Sequence, residues 1–201
     1  MKGKITLDDI FIEVYKAFPS SIMGREDIDF SNNIILPPSA LKKLSSMKNF
    51  GDSRNPILFR ILNIDLNIMT HCGVAEFTSE EDICYLPTNI FERLCLMEGQ
   101  TINLRNVELR PGYFIKIQPH LTEFGNNLNL AISGVSGEIL KNYFCVTEGD
   151  TISIKIGNKI YNLDIIECKP ARAIRTLNSD IEIDYAPPKD SKNKTKNDSN
   201  Q

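Results

Sequence analysis

The sequence predicts a mainly β protein: a closed, pseudo-symmetric β-structure whose short crossover helices plug its ends, followed by a second, smaller subdomain. Three observations lead there. A unit of strand end, short helix and strand occurs three times at intervals of roughly fifty residues, apolar residues alternate with period two over much of the intervening chain, and composition shifts toward Asn, Gly and Ser beyond Gln118-Pro119.

The central copy runs from Leu86-Pro87 through Ile90, Phe91, Leu94 and Cys95 to Glu98-Gly99-Gln100-Thr101-Ile102. An earlier copy reads Leu36-Pro37-Pro38-Ser39-Ala40-Leu41, closing with Leu44, and a later one repeats the back half as Phe144-Cys145-Val146-Thr147-Glu148-Gly149-Asp150-Thr151-Ile152. Proline after an apolar run cannot continue a sheet ladder, but its fixed φ suits the first turn of a helix. Ala40, Leu41 and Leu44 then match Ile90, Phe91, Leu94 and Cys95, and Ile139, Leu140, Tyr143 and Phe144 give a third helical stripe, over Glu138 to Phe144. A helix this short cannot bury its stripe alone, so two units sharing one core is the expected arrangement.

The chain opens with Thr6 and Asp9, a cap and a first-turn acid, before Leu7, Ile10, Phe11, Val14 and Tyr15 on one helical face. An amphipathic helix is therefore expected over residues 1–17, stopped by Phe18-Pro19. Ile57, Phe59 and Ile61, then Ile64, Leu66 and Ile68, read as half-buried strands. Val74 to Phe77 and Ile83 to Leu86 flank the acidic turn Ser79-Glu80-Glu81-Asp82 and read as a hairpin. Ile102 and Leu104, then Tyr113, Ile115 and Ile117, add two strands, and the Asn/Gly/Ser-rich stretch Leu121 to Gly137 marks the subdomain boundary. Ile152 to Ile156 and Ile160 to Ile166 form a second hairpin about Gly157-Asn158. Ile181, Ile183 and Tyr185 make a last strand whose other face is Asp180, Glu182 and Asp184, an arrangement that discourages edge-to-edge aggregation. Residues 189–201 are polar and low in complexity, and are expected to be a disordered tail.

Composition excludes several classes. A net charge of −3 and a pI near 5.5, with scattered lysines, do not supply the concentrated basic face that a nucleic acid requires. Five cysteines are odd in number and unclustered, which fits a reducing compartment, and no C-x-x-C or paired His spacing suggests zinc. No apolar run is long enough to cross a bilayer, and no signal-peptide pattern opens the chain, so the sequons at Asn193 and Asn197 are expected to be idle.

Tests for catalysis are negative. His71 and Cys72 are neighbours in an expected strand and so point to opposite faces, out of reach of one another. Ser39-Ala40-Leu41-Lys42 has the S-x-x-K spacing without the accompanying S-D-N or K-T-G elements. Gly134-Val135-Ser136-Gly137 lacks the lysine of a phosphate loop, and Asp52-Ser53-Arg54 and Asp150-Thr151-Ile152 lack the glycine that follows an aspartic-protease carboxylate. A binding module, not an enzyme, is the expected class, with no cofactor.

An ordered set of segments carries a resemblance: Ile34-Ile35-Leu36-Pro37-Pro38-Ser39-Ala40-Leu41, Pro56-Ile57-Leu58-Phe59, and above all Thr70-His71-Cys72-Gly73-Val74-Ala75-Glu76-Phe77, then Ile83-Cys84-Tyr85-Leu86-Pro87. Gln118-Pro119, Leu140-Lys141-Asn142-Tyr143-Phe144, Glu167-Cys168-Lys169-Pro170 and Asp184-Tyr185-Ala186-Pro187 continue it. From about Phe18 to Pro188 the chain resembles the N-terminal domain of the ubiquitin fusion degradation protein 1 family. The resemblance implies a double-psi β-barrel over residues 18–118 and a smaller mixed α/β roll over 119–188. It departs at the N-terminal helix and at Thr122-Glu123-Phe124-Gly125-Asn126-Asn127, where the family has an acidic-aromatic segment.

The resemblance further implies a non-catalytic adaptor that binds ubiquitin and polyubiquitin chains. With nuclear protein localisation protein 4, through segments not seen in this chain, it would deliver substrates to the valosin-containing AAA+ ATPase for proteasomal degradation. A cytoplasmic setting, extending to the nucleus or the surface of the endoplasmic reticulum, follows. Contact residues do not transfer by motif. Because ligand sites favour subdomain boundaries, Tyr113, Lys116, Gln118 and His120 are the candidates, or else a polar hinge packed on itself. Two other readings stay open: a peptide-binding N-domain of the AAA+ ATPase type, and a β-barrel hydrolase using His71.

Overall fold

In the computed structural model, which describes residues 10–47, 56–128 and 140–191, the chain divides into two units after Glu108. The first unit is a closed barrel of six strands: β1 (Ile12–Pro19), β2 (Asn33–Ile35), β3 (Leu58–Asn63), β4 (Ile68–Glu76), β5 (Ile83–Leu86) and β6 (Gln100–Val107). Helix α1 (Pro38–Ser45) joins β2 to β3, and α2 (Thr88–Arg93) lies between β5 and β6. Around the barrel the strands run β1-β5-β2-β4-β3-β6, with β1/β5 and β2/β4 parallel and the other pairs antiparallel.

Adding three to each strand number, cyclically, carries this pattern onto itself: β1/β5 becomes β4/β2, also parallel, and β1/β6 becomes β4/β3, also antiparallel. The barrel is thus a double-psi barrel made of two equivalent halves. The buried members of the repeat occupy equivalent places in one core, whereas Leu41 and Cys95 of the same stripes are exposed. Leu36 and Leu86 are fully buried, and Ala40 and Leu44 pack in the same cluster as Ile90 and Leu94. Proline opens the first turn of α1, and the segment before each helix is extended at Pro37 and Pro87. Phe11 and Phe59 meet edge to face at 5.3 Å at the centre, among Ile34, Ile61, Ile102 and Leu104.

Each half also reaches for the helix of the other. Asp29, between β1 and β2, accepts the Thr88 N–H at 2.9 Å and the Thr88 hydroxyl at 3.2 Å, and its Oδ1 also accepts the Ser20 hydroxyl at 2.8 Å. It thereby satisfies a free N–H at the start of α2, a helix that has no side-chain cap of its own at Pro87. In the opposite direction Glu81, between β4 and β5, accepts the Ser39 hydroxyl in the first turn of α1.

Several expectations are corrected. Ile12–Pro19 is a strand rather than the end of a helix, with Phe11, Tyr15 and Ala17 inward and Ile12, Val14 and Lys16 outward. Pairing on both sides, with β5 and β6, decides for the strand. The expected hairpin of Val74 to Leu86 does not form, because β2 lies between β4 and β5. Ile64 to Asn67 is a turn with Ile64 and Leu66 exposed. Asn63 Oδ1 accepts the Asp65 and Leu66 N–H groups, and Asn67 takes φ 53°.

The second unit begins ten residues before the expected boundary at Pro119, since the strand ending there belongs to it. Its elements are β7 (Phe114–Pro119), α3 (Thr122–Leu128), β8 (Cys145–Thr147), β9 (Thr151–Ile156), β10 (Lys159–Lys169), β11 (Ala173–Arg175) and β12 (Glu182–Tyr185). A four-stranded sheet, β12-β7-β10-β9, buries Ile115, Ile117, Leu163 and Ile165 against Phe124, Tyr143 and Tyr161, and β8 and β11 form a separate pair. The β9–β10 hairpin is as the sequence predicts, turning at Gly157 with φ 59°. Gly99 and Gly149, the matching glycines of the second and third repeats, both take positive φ, 76° and 88°, which a side chain would strain. Thr122–Leu128 forms a helix inside the Asn/Gly/Ser-rich stretch, where the sequence predicts no element. The Asp190 carboxylate accepts the Thr122 N–H and hydroxyl and so caps α3. Of the expected helix Glu138 to Phe144, Lys141 and Asn142 form a turn and Tyr143 and Phe144 are not helical, so the helix does not run to Phe144. Residues 1–9, Asp52 to Arg54, Gly134 to Gly137, Glu138 and Ile139, and the tail beyond Ser191 lie outside the described residues.

Asp29→Ala should lower stability by about 1–2 kcal/mol in urea unfolding, by removing the α2 cap and stranding the Ser20 hydroxyl. Glu81→Ala, at an exposed contact, should cost under about 0.5 kcal/mol. Equal losses for the two would show that the Asp29 bridge is not what holds α2.

Candidate functional site

Of the four candidate residues, β7 brings three together. Burial alternates along the strand, so Phe114, Lys116 and Gln118 face outward while Ile115, Ile117 and Pro119 face the core, and His120 follows on the outward side. Tyr113 is one residue before the strand and of the opposite parity. Its side chain is 56% exposed, and only its backbone joins the sheet, to Lys169 and Glu182. All four belong to the second unit.

Each of the three faces a partner that sequence reasoning missed. Lys116 Nζ pairs with Asp184 Oδ2 on β12 at 2.9 Å, and that hydrogen bond raises the lysine pKa and lowers the carboxyl's. The Gln118 amide donates to the Pro187 carbonyl at 2.8 Å. His120 Nε2 lies 2.7 Å from Asp164 Oδ1, Lys189 Nζ lies 2.5 Å from Oδ2, and the Thr151 hydroxyl donates to Oδ1 at 2.8 Å. Lys189 Nζ is also 3.1 Å from His120 Nε2, but with the imidazole N–H donating to the carboxylate, the two side chains share one acceptor. Burial pushes the Asp164 carboxyl up, and the hydrogen bonds from Lys189, His120 and Thr151 more than offset it, leaving the pKa below its ordinary value. At the other end of the face, Lys169 Nζ sits 4.7 Å from the Phe114 ring centroid.

The segment after β12 is held to this face by its backbone as well. Ala186 and Lys189 donate to the carbonyls of Ile117 and Pro119, and Asp190 to that of His120. The face is therefore a preorganised polar surface with one aromatic ring, suited to a partner that presents hydrogen-bonding groups around a small apolar contact. Alternation alone could have found the shared parity of Lys116, Gln118 and His120. Asp164 and Lys189 are 44 and 69 positions from His120, and no local pattern announces them.

Elsewhere, His71 and Cys72 sit on opposite faces of β4: Cys72 is in the barrel core, and His71 stands opposite Arg60 on β3. Burial, and then the charge of Arg60, push the His71 pKa down to about 4, so the ring is neutral at pH 7. Burial raises the Cys84 thiol well above its ordinary value and pushes Cys168 to about 12. Among the described residues no group of three or more His, Cys, Asp or Glu side chains could hold a metal ion, and no helix is long and apolar enough to cross a membrane.

Comparison with known families places two models end to end on the chain. "Ubiquitin fusion degradation protein UFD1, N-terminal subdomain 1" matches residues 11–110, and subdomain 2 of the same protein matches residues 111–188. Similar proteins include the "Ubiquitin fusion degradation protein 1 homolog" of Dictyostelium discoideum, 39% identical over 90% of this chain and 54% of its own. The "Ubiquitin recognition factor in ER-associated degradation protein 1" of Homo sapiens is 35% identical over 89% of this chain and 57% of its own. "Ubiquitin fusion degradation protein 1" of Saccharomyces cerevisiae is 31% identical over 92% and 52%. The chain thus spans about half the length of the curated relatives it matches.

Two pH effects should follow. The His71 pKa is about 4 in the fold, against roughly 6.5 unfolded. The unfolded state therefore binds more protons in that window, and stability should fall by on the order of 1–3 kcal/mol as pH drops through it. Urea midpoints at several pH values should show this slope, and His71→Gln should flatten it. Asp164 has the depressed carboxyl. Its contribution is present above the ordinary aspartate value of about 3.9 and lost as pH falls through the lower folded value. In Asp164→Asn, amide exchange at Lys189 and Asp190 should already be fast at neutral pH; unchanged protection would mean that the backbone bonds alone hold the segment.

Proposed function

The chain belongs to the ubiquitin fusion degradation protein 1 family, whose two N-terminal subdomains it contains, and from that premise we propose that it binds ubiquitin on proteins marked for degradation. The observation that carries this reading is the consecutive match of both subdomain models over residues 11–188, which takes in nearly every described element. In the fuller form of the proposal the bound substrate passes to the valosin-containing AAA+ ATPase, in company with nuclear protein localisation protein 4. The name of the human relative, a recognition factor in ER-associated degradation, supports a role at the endoplasmic reticulum.

The ubiquitin contact is the outward face of β7, formed by Lys116, Gln118 and His120 beside Phe114 and Lys169. Polar groups already fixed by Asp184, Pro187 and Asp164 lose little freedom on binding, but little apolar area is available. A small polar interface makes a single contact weak, and linked ubiquitins on one substrate then bind by avidity. The role is a non-catalytic one. His71 and Cys72 do not share a face, and the buried thiols Cys84 and Cys168 are held protonated, which supports that reading.

Titration of the isotopically labelled chain with single ubiquitin, linked chains and adaptor peptides tests this directly. Shifts should centre on Lys116, Gln118 and His120, with chains binding about a hundredfold tighter than single ubiquitin. Lys116→Ala combined with His120→Ala should weaken both about tenfold or more. Absence of shifts with every ubiquitin form would overturn the function, whereas shifts confined to other strands would overturn this face alone.

A further inference from the structure

The outer wall of the barrel carries a feature that the β7 face does not use. Two registered rows of side chains cross β1, β6, β3 and β4. In one, Ile12 stands opposite Arg105, Arg105 opposite Arg60, and Arg60 opposite His71. In the next, Val14, Asn103, Leu62 and Met69 align in the same way. These positions point outward, because Phe59, Ile61, Thr70, Cys72, Ile102 and Leu104 between them are the buried ones.

Neither row contains a carboxylate. Glu13, between Ile12 and Val14 in sequence, has the opposite parity and pairs with Lys43 of α1. Two guanidiniums therefore face each other across β3 and β6, where like charges directly opposite are destabilising. No ion pair among the described residues matches either, and Arg60 Nε is buried without a hydrogen-bond partner. Beside them Ile12, Val14 and Met69 are 45–53% exposed. Uncompensated cations next to exposed apolar side chains, on a protein of net charge −3, are costly to keep unless something complementary covers them.

We propose that this wall is a second docking surface, distinct from the ubiquitin-binding face, and that its occupant is an acidic amphipathic peptide segment of a partner protein. Carboxylates of that segment bridge Arg60 and Arg105, relieving their repulsion through charge-assisted hydrogen bonds, and its apolar side chains cover Val14, Leu62 and Met69. Arginine suits the task, since its planar fork grips a carboxylate through two parallel bonds.

The test uses the full chain and a short fluorescein-labelled peptide alternating Glu with Leu, set against the same peptide with Gln for Glu. Anisotropy should show saturable binding of the Glu peptide that weakens with added salt, and binding of the Gln peptide at least about tenfold weaker. The R60Q/R105Q double variant should lose about tenfold or more for the Glu peptide and retain its ubiquitin affinity. If that variant does not fold, V14D and M69E place acids on the same rows and should weaken the Glu peptide alone. Equal affinity for the two peptides, an unchanged Kd in the variants, or no binding would overturn the proposal. A loss of ubiquitin binding in R60Q/R105Q would overturn the distinctness of the two faces, and it can be separated from failure of the ubiquitin reading because the native chain is titrated alongside.

Discussion

Everything in the barrel depends on one constraint: neither half has a complete sheet. β2 takes its hydrogen bonds from β4 and β5, and β5 takes its own from β1 and β2, so each half's second strand finds its partners chiefly in the other half. A buried strand without partners would leave costly unpaired N–H and C=O groups, so the halves close together or not at all. The helix ends obey the same rule, with Asp29 serving α2 and Glu81 serving α1. Such pairings are remote in sequence, and the loop entropy they require is lost before they form, which makes closure the slow and cooperative step of folding.

That remoteness also sets what could be read from the chain. Proline after an apolar run, the matching stripes Ala40/Leu44 and Ile90/Leu94, and the Gly157-Asn158 turn are local signals, and each produced the element it predicts. Phe11 and Tyr15 satisfied a helical period as well as an alternating one, Val14 fitted only the helical one, and the flanking strands β5 and β6 resolved Ile12–Pro19 as β. The apparent hairpin of Val74 to Leu86 failed because two strands adjacent in sequence were parted by a third from elsewhere. Helix α3 was missed since its cap, Asp190, lies 68 positions beyond Thr122.

The candidate face was half legible for the same reason. Alternation along β7 groups Lys116, Gln118 and His120, but the groups that fix them come from β10, β12 and the segment after it. Tyr113 stands apart from the other three, one residue before the strand and of the opposite parity. The two charged surfaces differ in kind. On the β7 face Lys116 and Lys189 already have their anions, so a partner meets a neutralised surface, whereas on the barrel wall Arg60 and Arg105, 45 positions apart, are brought together by register alone.

The internal symmetry bears on ancestry. A polypeptide ending at the exposed turn after Asn63 would hold three strands and one helix, half of the barrel, and two copies of it would reproduce the strand order and the reciprocal helix caps as a homodimer. Fusing such a pair through a linker like Ile64–Asn67 frees each copy to drift, and this molecule has done so: α1 has eight residues where α2 has six.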